Sequence, residues 1–115
     1  MQLNNTIKMA RKITMTLRAN MNDRVDDCTI YDVIEDNNNK SFNIDFQAYK
    51  FYKIKLSYKN GKINWGIKFD DKTIIDIKKD ISVDNEINLE MFYQEMKEQL
   101  EMRIPDKFLQ ANGWN

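Results

Sequence analysis

Histidine is missing from this chain of 115 residues, and cysteine and proline occur once each and glycine three times. Without an imidazole there is no Ser-His-Asp or Cys-His nucleophile, no histidine general base and no histidine-bearing zinc site. A lone Cys28 forms no intramolecular disulfide and supplies no thiolate cluster for zinc or iron–sulfur. With no base to activate it, it reads as a small core residue. Gly61, Gly66 and Gly113 stand too far apart for a P-loop or a dinucleotide-binding turn. The sequence therefore implies no cofactor, no metal and no enzyme. Long apolar runs are missing too, including from MQLNNTIKMARKITMTLRAN at the start, so the expectation is a cytoplasmic protein with no membrane partner. Charge of one sign is not in excess either, because 18 Lys and Arg balance 18 Asp and Glu.

What is present suffices for one core. A hydrophobic fraction of 42% with 11% aromatics is that of a folding chain, and the length suits a single domain over residues 1–115. Lysine outnumbers arginine, and isoleucine and asparagine are abundant, a bias expected of an AT-rich bacterial genome or of one of its phages or mobile elements.

The most ordered pattern runs from Lys50 to Asp71, two arms of alternating apolar residues meeting at Asn60-Gly61. Asn-Gly is suited to a type I′ turn, in which both central residues need φ > 0. That places Tyr58 opposite Ile63, Leu56 opposite Trp65, Ile54 opposite Ile67 and Tyr52 opposite Phe69. A slip of one residue would turn this whole face to water, so the register is fixed.

Upstream, residues 1–22 fit two templates. Ile7, Ala10, Leu17 and Met21 share one side of a helix, whereas Ile13, Met15, Leu17, Ala19 and Met21 alternate. The β-branched run around Ile13, Thr14 and Thr16 favours a strand over 12–20 after a short helical or frayed start. Cys28 to Glu35 and Ser41 to Gln47 suggest a second hairpin, with Asp32 breaking the alternation and leaving a short helix over 29–36 as the other option. Continued parity through Ala48 into Tyr52 requires a bend near Gln47 to Lys50. Asp70-Asp71-Lys72 turns into a further strand on which Thr73, Ile75 and Ile77 share a face.

The tail reads as helix. Leu89, Phe92, Tyr93, Met96 and Leu100 form an apolar stripe ending near Arg103, with Asn85 or Asn88 as cap and Pro105 as stop. Pro105 to Asn112 suggests a short helix closed by Gly113, with Trp114 folded back on Leu109 or Phe108. The expected fold is α+β: an antiparallel meander of about four to six strands with one C-terminal amphipathic helix packed on one face.

The other face would be free, and it carries Lys53, Lys55, Lys62 and Lys68 with Asn64 and Gly66 among them. From Lys50 to Phe69 there are six lysines and no acid, whereas Asp70 to Glu101 holds ten acids against four lysines. The lysine set is a candidate grip for phosphates, although lysines on the wet side of a strand are also the ordinary guard against edge aggregation. On this register Tyr52, Tyr58, Trp65 and Phe69 point inward and only Phe51 lies on the lysine side, so stacking partners for bases are scarce. The acids Asp76, Asp80, Asp84, Glu90, Glu95 and Glu98 are a second candidate surface, able to compete with a nucleic-acid backbone for a basic groove on another protein. Asp76-Ile77-Lys78 after Asp70-Asp71 faintly matches the acid-x-Lys of Mg²⁺-dependent nucleases.

The reading is a non-catalytic protein that binds a macromolecule, in its most specific form a small phage or mobile-element inhibitor occluding a host or defence protein. A nucleic-acid-binding module using the lysine face is the alternative, and a nuclease-like enzyme a remote one. A homodimer through an exposed edge strand or the uncovered face is also open.

Overall fold

The computed structural model describes residues 5–83 and 86–114. In chain order these form α1 (Asn5–Met21), β1 (Thr29–Glu35), β2 (Lys40–Ala48), β3 (Tyr52–Lys59), β4 (Lys62–Lys68), β5 (Ile74–Ser82), α2 (Glu86–Glu101) and α3 (Asp106–Ala111). The five strands make one antiparallel sheet in the order β1-β2-β3-β4-β5. It is a meander in which each strand pairs with its sequence neighbours.

The central hairpin has the register its alternation demands. Tyr58 pairs with Ile63, Leu56 with Trp65 and Ile54 with Ile67, and Asn60 (φ 49°) and Gly61 (φ 87°) make the turn. The fourth expected pair, Tyr52 with Phe69, does not form, and the ladder ends at Lys53 and Lys68. Phe69 is instead drawn into the next turn, where its N–H donates to the Thr73 carbonyl and Asp70 Oδ1 accepts from the N–H groups of Lys72 and Thr73. Its ring is left 67% exposed. At the other end, the expected bend is a two-residue turn through Tyr49 (φ 58°) and Lys50 (φ 55°).

A left-handed residue other than glycine costs on the order of 1–2 kcal/mol, so both positions need an anchor. Tyr49 is fully buried, its hydroxyl donates to Glu101 Oε2 at 2.6 Å, and its ring meets Trp114 edge-on at 5.4 Å. Lys50 Nζ lies 5.9 Å from the centroid of the same indole. Phe51 also belongs to this cluster, packing against Phe108 and Tyr52, and not to the lysine side as expected.

Residues 12–20 are helix, not strand. The residues buried along α1 are Thr6, Ala10, Ile13, Leu17 and Met21, a helical stripe, while Met15 from the alternating set is 71% exposed. The β-branched threonines are accommodated because Thr14 and Thr16 turn their hydroxyls back onto the carbonyls of Arg11 and Lys12. Glu35 of β1 reaches the start of the helix and accepts from both the N–H and the hydroxyl of Thr6, at 3.0 and 2.8 Å. A carboxylate there meets the positive end of the helix dipole.

The sheet is therefore covered by two long helices instead of one. α1 packs over β1 and β2 and against α2, and the stripe Leu89, Phe92, Tyr93, Met96 and Leu100 of α2 is buried as expected. Asn88 lies inside α2 and is not its cap, because the helix begins at Glu86; Asn85 falls outside the described residues. Tyr93 joins the helices by donating to the Ile13 carbonyl at 3.0 Å beside the Thr16 hydroxyl. The tail docks as read: Gly113 (φ 75°) follows α3, the Trp114 N–H donates to the Leu109 carbonyl, and Trp114 Nε1 donates to Asp23 Oδ1 at 3.0 Å. One core joins these helices to the inward residues Phe42, Ile44 and Phe46 of β2, Ile54 and Leu56 of β3, and Ile63 and Trp65 of β4.

The outer strands are irregular where the inner ones are not. β1 bulges between Tyr31 and Ile34 at Asp32 (φ 53°), which explains the broken alternation there; no helix forms. β5 shifts register twice, between the partners of Ile63 and Trp65 and between those of Trp65 and Gly66, with Asp80 at φ 56°. At Gly66 the two strands come so close that a Cβ would stand 2.4 Å from the Ile75 carbonyl oxygen.

Two outcomes follow from this packing. Gly66→Ala forces β4 and β5 apart and should cost about 1–3 kcal/mol in denaturant unfolding, more than Gly61→Ala, which meets no neighbour but keeps a strained φ. Burial pushes the Tyr93 phenol up to about 12. A phenol whose pKa is raised by folding contributes fully below its ordinary value near 10 and loses that contribution as pH climbs toward 12, so thermal melts should show stability falling across that window, by on the order of 2 kcal/mol for Tyr93. Tyr93→Phe should flatten the decline without abolishing it, since Tyr49 is raised in the same direction by burial and by Glu101.

Candidate functional site

Because β2, β3 and β4 alternate without interruption, one parity class of their side chains goes into the core and the other lies on the face opposite the helices. On that open face Lys53 pairs with Lys68, Lys55 with Gly66, Ser57 with Asn64 and Lys59 with Lys62. The structure thus brings together Lys53, Lys55, Lys62, Asn64 and Lys68, the whole lysine set expected from the sequence. It adds Lys59, the ladder partner of Lys62, whereas Lys50 lies over the Trp114 ring.

The lysines are not equivalent. Lys68 Nζ reaches across β3 to Asp45 Oδ2 on β2 at 3.1 Å, and Asp45 Oδ1 accepts from the Tyr31 hydroxyl of β1 at 2.9 Å. Burial and this carboxylate push the Tyr31 phenol up to about 12. The two bonds occupy the one acid of the inner strands on this face, so Asp45 neutralises Lys68 and leaves the others alone. Among the described residues Lys53, Lys55, Lys59 and Lys62 make no ion pair. Four ammonium groups therefore stand on one strand surface with Ser57, Asn43 and Asn64 between them.

The acidic candidates do not assemble. Asp76 lies on the open face in a pair with Lys79 at 3.2 Å, and Asp80 sits at the β5 bulge with its N–H donating to Asn64 Oδ1. Glu90, Glu95 and Glu98 are on α2, across the sheet from Asp76, and Glu95 is held by Lys78 at 2.8 Å. Asp84 lies outside the described residues. The acid-x-Lys pattern is separated too. The register shift puts Asp76 opposite Gly66 on the open face and Lys78 opposite Trp65 on the helix side, so carboxylate and amine cannot meet one metal and its substrate. Among the described residues no group of three or more His, Cys, Asp or Glu side chains is placed to hold a metal ion.

Cys28 is half-buried against the edge of the core, and desolvation raises its thiol, which opposes nucleophilic use. No helix among the described residues is long and apolar enough to cross a membrane.

The open face has a depression of about 370 Å³ beside Gly66, between Lys55, Ser57 and Asn64 on one side and Lys72, Ile74 and Asp76 on the other. The place of a side chain on Gly66 itself is taken by the Ile75 carbonyl of β5. The sequence places Gly66 on this face, but the close approach of β5 to it is not legible there, because the two register shifts that bring β5 in have no alternation signal.

Set against protein-family models, curated proteins and solved structures, the chain matches none of them, so its function has to be argued from this face.

Proposed function

We propose that this protein is a non-catalytic binding protein that lays its open sheet face on an acidic surface of another protein and occludes it. The observation that carries the reading is the row Lys53, Lys55, Lys59 and Lys62, all on one face and without ion pairs among the described residues, while the inner-strand acid, Asp45, is occupied by Lys68 and Tyr31. A solvated face would serve as well with its lysines matched to neighbouring acids, as Lys78, Lys79 and Lys68 are. Unmatched charge of one sign favours a partner of the other.

A five-stranded face of this length presents roughly 600 Å², from strands about 4.8 Å apart rising about 3.3 Å per residue. That is below the ~800 Å² per partner of a standard interface, which suits occlusion of a compact site with help from the turns at the rim. The amino-acid bias toward AT-rich genomes and mobile elements makes a phage or mobile-element inhibitor of a host or defence protein the specific form of this proposal.

Nucleic acid is less well served by the same face. Its inner strands expose no aromatic ring for base stacking, the outward ring of β1, Tyr31, is tied to Asp45, and the chain has no net charge.

Affinity purification with mass spectrometry from an AT-rich bacterial host should recover a protein whose capture weakens as salt rises. Lys53→Glu with Lys62→Glu should reduce that capture at least about tenfold, since reversing close charge pairs costs more than 1.4 kcal/mol. Glu90→Lys with Glu98→Lys on the opposite side should leave it unchanged. Turnover of a substrate, or capture indifferent to the lysine reversals, would overturn the proposal. Retention of a duplex oligonucleotide with a log–log salt slope near about −3.6, the value for four phosphate contacts, would transfer the face to nucleic acid.

A further inference from the structure

The depression at Gly66 has a chemistry of its own. Asn64 Oδ1 accepts the Asp80 N–H at 2.6 Å. A backbone N–H needs an acceptor, so this bond fixes the amide orientation and leaves the Asn64 Nδ2 as a donor facing out. Ser57, its ladder partner, adds a hydroxyl, and Lys55 and Lys72 add two cations without ion pairs among the described residues. The single carboxylate there, Asp76, is held by Lys79 at 3.2 Å. The lining side chains are therefore rich in donors and net positive, and against them the Ile75 carbonyl, which stands where a side chain on Gly66 would be, sets one backbone acceptor beside the floor.

We propose that this depression is an oxyanion socket, taking one phosphoryl or carboxylate group that protrudes from the partner, with Lys55 and Lys72 as counter-charges and Ser57 and Asn64 as hydrogen-bond donors. It rests on the open face being the binding face and gives that face a fixed point. A flat row of lysines selects for charge only, whereas a socket with two cations and two neutral donors orients a group with several acceptor oxygens. The β5 bulge is what completes it: Asp80 turns its N–H to Asn64, and the register shift brings Asp76 out to Lys79.

Nuclear magnetic resonance on the ¹⁵N-labelled full chain tests this directly, with inorganic phosphate as one probe and glutamate as the other, each against chloride at matched ionic strength. Saturable shifts confined to the amides of Ser57, Asn64, Gly66 and Lys72 are the expected result. A response to phosphate alone assigns a phosphoryl group, and an equal response to glutamate assigns a carboxylate. Lys72→Gln and Lys55→Gln should each weaken binding about threefold to tenfold, the loss of one exposed charge-assisted contact, with spectral dispersion retained. Lys59→Gln, outside the depression, should not. Shifts that never saturate, that spread over every lysine-bearing strand, or that survive both substitutions would overturn the socket. Partner capture sensitive to Lys53→Glu and Lys62→Glu would in that case still stand, so the two proposals fail separately.

Discussion

The constraint on which this structure depends is the unbroken parity of β2, β3 and β4. From Ser41 to Ala48, Tyr52 to Lys59 and Lys62 to Lys68 the ladders run without a bulge, so the face of every side chain follows from its number. Phe42 stacks on Tyr58 at 4.6 Å on the core side while Ser41 and Lys59 pair on the other. A single inserted residue in any of these strands would exchange the two faces downstream of it. Both the core and the lysine row are consequences of the same alternation, and neither can be altered by a register change without losing the other.

The irregularities are confined to the edges, and there they decide chemistry. β1 and β5 each carry left-handed residues, Asp32 and Asp80, at positions where an outer strand slips relative to its inner neighbour. Bulges of this kind twist an edge away from pairing with another chain. In β5 they do more, because they reverse the faces of Asp76 and Lys78 and commit one to Lys79 and the other to Glu95. A motif that two-residue spacing would place on one surface is thereby divided between two.

This also explains what could be read from the sequence. The hairpin at Asn60-Gly61, the stripe of α2, and the Gly113–Trp114 closure were legible because each is a local rule with a strong residue signature. The identity of α1 was not. Ile13, Leu17 and Met21 satisfy both periods, and the threonine hydroxyls that reconcile β-branched residues with a helix, together with the cap from Glu35, are visible only once the helix exists. The lysine set was legible because it sits in the regular strands. The division of the acidic set was not, because it depends on bulges that leave no trace in the alternation, and Phe51 was misplaced because a turn through Tyr49 and Lys50 takes it out of strand parity.

That turn also bears on why the open face stays open. Tyr49 and Lys50 hold left-handed conformations that neither residue favours, and the anchors that offset the cost, Glu101, Trp114 and the Arg24 carbonyl accepting the Tyr49 N–H, all lie on the helix side. The C-terminal segment is thereby recruited to the helix layer: Phe108 of α3 closes on Phe51, and Trp114 on Tyr49. Tyr49, Phe51, Tyr52, Phe108 and Trp114 are gathered on one side of the sheet. On the opposite side the inner strands β2, β3 and β4 keep only side chains whose ends are ammonium, hydroxyl or amide, together with one occupied carboxylate at Asp45. Such a surface has little apolar area with which to bind a partner by burial, and its complementarity must come from charge and from shape. Charge is supplied by the lysine row, and shape by the depression beside Gly66.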